Sequence, residues 1–237
     1  MICNSCETKN TQDAKFCKTC GKSLKEGENK NNFMKLLTDT KDVIIGMFKK
    51  PIDTMKNFIK EENYINGIIY IVINAVLFSL IMLVLSSALY EAFMYMFNSS
   101  AAYLSAFTTQ IEIPYVKIFF ISMIFYLLYY VVYGGTTYLM SRYAFKSDTK
   151  LKNIISWLGV NLILLSVIFI VVIICLLINL KFGIIVLSLG SILNTYYLYK
   201  SIGDATNTDE NKLGYVVLTS VFVTMFIIGF ILPKLFA

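Results

Sequence analysis

The chain has 237 residues, 57% hydrophobic and 15% charged, against about 25% charged in soluble domains; that excludes a soluble globular protein and implies a polytopic membrane protein. It contains no histidine, which excludes serine-histidine and cysteine-histidine catalysis, histidine zinc sites and a histidine pH switch. The formal charge of +6 comes from lysines spread along the tail and loops rather than gathered in a basic arm, so it points to membrane orientation and away from nucleic acid. No apolar leader precedes the first cysteines, and the N-terminus is expected to be retained as written.

Residues 1–25 hold two CxxC pairs, Cys3 with Cys6 and Cys17 with Cys20. A two-residue gap lets both thiolates of a pair point to one side, and four thiolates fill the tetrahedral shell of zinc at about 2.3 Å. The expected cofactor is one structural zinc ion. Some two dozen residues bury too little apolar surface to fold alone, whereas structural zinc supplies about 10–16 kcal/mol in small finger peptides. A disulfide pair or a redox CxxC is the alternative; a reducing cytosolic location and the lack of a βαβ context weigh against both. Ten residues separate the pairs, fewer than in longer ribbons, so a minimal ribbon of two knuckles is expected. The lysines of this head are offset by Glu7, Asp13 and Glu26, and Phe16 is its only aromatic residue, which favours docking to a protein or to another protomer over nucleic acid. Cys175 lies in an apolar run and reads as a small buried residue.

Residues 26–32, EGENKNN, form a polar linker. Over 33–63 apolar residues recur at helical spacing among lysines and acids, which predicts two amphipathic helices broken at Pro51. The second places Ile52, Met55, Phe58 and Ile59 on one face, to lie either on the bilayer surface or against the protein's own cytoplasmic side.

Residues 64–237 contain five apolar runs, at about 65–90, 115–140, 154–178, 182–199 and 214–236, each near the roughly 20 residues that cross the hydrocarbon core. The first run stays apolar to Phe97, which puts Glu91 near the outer interface if the helix tilts or projects. Near-span basic residues number ten on the side of the head (Lys49, Lys50, Lys56, Lys60, Arg142, Lys146, Lys150, Lys152, Lys200 and Lys212) and three on the other (Lys117, Lys181 and Lys234), so a cytoplasmic N-terminus and an outside C-terminus are expected in the cell membrane.

No ionisable residue falls near mid-span; Glu91 and Arg142 sit near span ends and read as interfacial charges. Asn74, Asn161 and Asn194, with several glycines, read as packing groups that hydrogen-bond or let helices approach. Tyr129 and Tyr130 lie deeper in the second run, as core or as the lining of a polar path.

The segment FKKPIDTMKNFIKEENYINGIIY resembles the lead-in of the Yip family of five-span membrane proteins, where a proline-led amphipathic stretch precedes the first span. YYVVYGGTTYLMSRYAFKSDTKLKNIISWLGV is similar to that family's second-to-third span region, and the resemblance covers roughly 48–236. It implies five spans and an inward N-terminus, and the cysteine head is similar to that of bacterial members that carry an N-terminal zinc ribbon. Eukaryotic relatives are associated with Rab GTPases and vesicle traffic; they lack this head, and GTPase binding is not carried over.

The expected fold is all-α: a five-helix transmembrane bundle preceded by a minimal four-cysteine zinc ribbon and cytosolic amphipathic helices. The expected function is a non-enzymatic scaffold or adaptor whose zinc knuckle docks a cytosolic protein or another protomer. The rival is a small-molecule or lipid transporter, for which Asn74, Asn161, Asn194, Tyr129 and Tyr130 would have to converge on one hydrated cavity.

Overall fold

Proline at position 51 divides the helical lead-in, because the ring of a proline pushes the residue before it out of the helical region. Lys50 accordingly sits at φ −145° and ψ 69°, ending helix α1 (residues 40–49) and starting α2 (Pro51–Lys60) with proline in its first turn. The computed structural model describes residues 2, 6–11, 17–20, 40–100 and 113–231; of residues 92–100 and 231 only the backbone is described. The chain divides into two compact units, Met1–Gly46 and Met47–Ala237.

The larger unit continues with α3 (Tyr64–Ser100), α4 (Tyr115–Leu139), α5 (Leu151–Ile178), α6 (Leu180–Thr206) and α7 (Glu210–Phe226). A π-helical turn extends α4 through Met140–Ala144, and another extends α7 through Ile227–Ile231. Among the described residues, five segments are long and apolar enough to cross a membrane: Tyr64–Glu91, Tyr115–Ala144, Leu151–Ile178, Leu180–Thr206 and Glu210–Phe230. Large apolar side chains remain exposed along them, among them Val131, Leu177, Ile178, Leu218 and Phe222. That belt would be untenable in water and is what a helix presents to lipid.

α5 is the most buried span, packed chiefly between α3 and α6, while α4 packs on α3 and α7. Its sequence explains the position, since LGVNLILLSVIFIVVIICLLI is apolar around the whole helix and suits the centre of a bundle. α3 and α5 meet through two glycines. A Cβ added to Gly159 would lie 2.1 Å from the Cα of Gly67, and one added to Gly67 would lie 2.8 Å from the carbonyl oxygen of Ile155. Small residues thus bring two backbones into contact where no hydrophobic effect drives association.

The expected boundaries shift for local reasons. Asn179 alone separates α5 from α6: it is extended, and its side-chain oxygen accepts the Phe182 N–H at 3.2 Å, so the helix resumes at Leu180 instead of 182. α6 runs past the expected 199 to Thr206 and stops at Asn207, which takes the left-handed conformation (φ 50°) and caps the Gly203 carbonyl at 2.9 Å. Asp209 then caps α7, accepting from the Asn211 N–H at 3.4 Å, so that the helix begins at Glu210, four residues before the expected start at 214. The first span continues helically to Ser100.

α2 buries Met55, Phe58 and Ile59 against α5 and α6 and leaves Ile52 at 37% exposure. Of the two placements open to this face, the structure thus has three of its four apolar residues packed on the bundle. Lys56 reaches Asp204 of α6 at 3.6 Å, and the Phe58 ring lies 6.0 Å from that of Tyr70.

Candidate functional site

In the smaller unit, Ile2 pairs with Lys9 in an antiparallel bridge. The sulfur atoms of Cys6, Cys17 and Cys20 all lie within 4.8 Å of one another, with Cys6 and Cys17 at 3.5 Å. Tetrahedral zinc at about 2.3 Å from each thiolate separates its sulfurs by roughly 3.8 Å, so this spacing suits a shared ion, and it is far too long for a disulfide. Asn10 braces the cluster: its amide nitrogen donates to the Thr8 carbonyl at 2.8 Å and to the Cys17 sulfur at 3.5 Å, while its oxygen accepts the Lys18 N–H at 2.9 Å. The backbone N–H groups of Cys20 and Thr19, aimed at the Cys17 sulfur, stabilise its thiolate and bring its pKa down to about 6. Cys6 is lowered as well, first by the Thr8 hydroxyl. A thiolate is the form a metal takes up, so these three cysteines can hold a metal ion. Cys3, the fourth expected ligand, lies outside the described residues.

Within the bundle the expected polar residues occupy separate contacts. Asn74 of α3 is fully buried and donates to the Leu162 carbonyl at 2.7 Å and to the Ser166 hydroxyl, both on α5. Asn161 of α5 donates to the Ser201 hydroxyl of α6 at 3.1 Å, and the Trp157 indole N–H reaches the same hydroxyl at 3.0 Å. Asn194 of α6 is buried with its side-chain oxygen unpaired among the described residues. Tyr129 and Tyr130 line a cavity with Tyr133 of α4 and Tyr196 and Tyr199 of α6. Asn74 and Asn161 thus join different helix pairs, and neither lines the cavity of the two tyrosines.

Sequence reasoning passed over Gly67, Trp157, Ser166 and Ser201. Trp157 and Asn161 lie four apart, on one helical face, and that spacing was the available signal. Not every glycine read as a packing group is a contact: a Cβ added to Gly135 or Gly229 would meet nothing within 4 Å among the described residues.

Replacing Asn161 with leucine is expected to destabilise the purified chain by about 1–2 kcal/mol, because the Ser201 hydroxyl loses a donor and a larger apolar group enters a closed contact. A thermal midpoint in detergent equal to that of the parent chain would show that the α5–α6 bond contributes nothing.

Charged groups gather at the bundle end where α3, α5 and α7 begin. Lys150 bonds Glu62 at 2.8 Å and Lys152 lies 3.8 Å from the same carboxylate. The Lys150 ammonium, by hydrogen bond and then by charge, holds the Glu62 carboxyl below its usual range. The stabilisation from this pair is therefore complete above the ordinary carboxylate pKa and fades as pH falls through the lowered one. Arg142, in the π-helical turn, lies over the Tyr138 ring at 5.9 Å and donates to the Thr149 carbonyl at 3.1 Å, and the Thr149 hydroxyl donates to the Thr206 carbonyl at 2.7 Å. Arg142 therefore ties the 145–150 loop to the π-helical turn, and Thr149 ties it to the end of α6. Glu91 is exposed on α3.

The model of the Yip1 domain family matches residues 45–232. No curated protein and no solved structure matches the chain.

Proposed function

The chain belongs to the Yip1 domain family, and from that premise we propose that it is a non-enzymatic membrane scaffold whose four-cysteine zinc knuckle docks a cytosolic protein or another protomer. The observation that carries this reading is the use of the buried asparagines. Asn74 and Asn161 are spent on carbonyls and hydroxyls of neighbouring helices, and no charged residue lines the cavity beside Tyr129 and Tyr130. A transporter needs polar groups gathered on one path; here the two paired asparagines knit helices together. The cysteines belong to a compact unit, Met1–Gly46, other than the one that contains the spans.

Orientation follows from charge. Lys146, Lys150, Lys152, Lys200 and Lys212 stand at the end where α3, α5 and α7 begin, and that end faces the cytoplasm by the positive-inside rule. In intact cells a membrane-impermeant maleimide is expected to label Lys181→Cys and to spare Lys146→Cys until lysis. The opposite pattern would reverse the orientation and place the head outside.

Docking is tested by photo-crosslinking the full chain beside a Cys17→Ser, Cys20→Ser double variant. The reading expects at least one crosslinked species, a foreign protein or a dimer, that vanishes in the variant while the spans stay inserted. An identical crosslinking pattern in the two chains would reject it.

A further inference from the structure

The cavity between α4, α6 and α7 has a volume of about 400 Å³, in the range of sites that take small ligands, roughly 300–1,000 Å³. Tyr199 at its outer limit adjoins Lys200, and Tyr133 at its inner side lies about 14 Å of helix from Arg142. It therefore reaches from the level of the headgroups well into the hydrocarbon. Its wall bears no charged side chain.

The hydroxyls of the tyrosines set it apart from a packing defect. Tyr133 is 5% exposed, whereas Tyr196 and Tyr199 are 51% and 44% exposed at the mouth, and the hydroxyls of Tyr129, Tyr133, Tyr196 and Tyr199 find no hydrogen-bond partner among the described residues. Thr195, which also lines the cavity, has spent its hydroxyl on the Ser191 carbonyl at 2.8 Å. An unpaired hydroxyl facing a low-dielectric medium is costly, on the order of 1–3 kcal/mol when fully buried, and here hydroxyls from two helices border one space without a hydrogen bond among the described residues. On the third side Val217 and Val221 of α7 offer only apolar surface.

We infer that this cavity binds a neutral amphiphile of the bilayer, with carbonyl oxygens that accept from the tyrosines and an apolar chain that lies along Val217 and Val221. A cation or anion is disfavoured by the missing counter-charge, and a pure hydrocarbon chain would leave the hydroxyls unsatisfied. Two membrane molecules carry this chemistry: a glycerolipid through its ester carbonyls, and a lipophilic quinone through its ring carbonyls. The site is independent of the docking head.

The only tryptophan of the chain reports on it. Trp157 is fully buried, its ring lies 5.9 Å from that of Tyr133, and its N–H reaches the carbonyl of Leu198, another lining residue, at 3.3 Å. The full chain in detergent is titrated with a diacylglycerol carrying dibrominated chains and, separately, with decyl-ubiquinone, and Trp157 fluorescence is followed. Saturable quenching by the first assigns the site to glycerolipid esters, and by the second to a quinone. Tyr133→Phe keeps the ring and removes one donor, and is expected to raise the half-saturating concentration about 3- to 10-fold. Val217→Phe fills the space and is expected to abolish saturation while leaving the emission maximum in place, which shows that the fold persists. Quenching that rises linearly with both probes, or saturates equally in the parent chain and both variants, overturns the inference and leaves a cavity holding water or detergent.

Discussion

Serine in place of Cys17 is expected to lower the metal content of the purified chain from about one zinc per molecule to well below half. A structural site with four thiolates supplies an apparent 10–16 kcal/mol in small zinc peptides, and most of that is lost when one ligand becomes a neutral hydroxyl. Cys17 is the most protected of the three described sulfurs, at 3% exposure, and receives N–H groups from Thr19 and Cys20 and the Asn10 amide. Elemental analysis by mass spectrometry reads the zinc content. Membrane insertion should be unchanged, because the spans belong to the other compact unit. Equal zinc in the parent chain and the variant would remove the metal from the account and with it the physical basis of the knuckle.

The other large effect is expected at Gly159. A Cβ there would lie 2.1 Å from the Gly67 Cα and 2.6 Å from its carbonyl oxygen, and neither is the end of a side chain that can swing aside. Gly159→Ala must force α3 and α5 apart, loosening the Asn74 bonds to Leu162 and Ser166 as well. Overpacking of a closed core typically costs about 1–3 kcal/mol, and a backbone-on-backbone collision belongs at or above the upper end. The matched control is Gly135→Ala in α4, where the added methyl meets nothing within 4 Å among the described residues and helix propensity favours alanine by about 1 kcal/mol. Thermal midpoints in detergent should therefore fall sharply for the first variant and hold or rise for the second. Similar midpoints for the two would mean that α3 and α5 do not meet through their glycines.

The lateral pattern of the spans was readable because hydrocarbon demands long apolar helices and little else of each one. Helix ends were less readable. Asn179, Asn207 and Asp209 set them through caps, and a cap is one residue's geometry, invisible to a running average of hydropathy. Among the candidate residues, the pairing of Cys17 with Cys20 could be seen in advance, since the two-residue gap is a local property, whereas the approach of Cys6 to them joins residues eleven apart. The fates of Asn74 and Asn161 could not, because each depends on which helix stands opposite.

Composition and order alone therefore determined that this chain has five helices long and apolar enough to cross a membrane, that proline splits its lead-in and that cysteine pairs stand ahead of it, since each of these is fixed within a few turns of chain or by the solvent a segment must meet. Only the tertiary structure decided that α5 lies at the centre, that Gly67 faces Gly159, that Ser201 serves both Trp157 and Asn161, and that five tyrosines from two helices enclose one space. Those relations join residues far apart in the chain. In a medium where lipid is as apolar as the side chains, helix partners are selected by close fit and by buried hydrogen bonds, and neither exists until the helices are assembled.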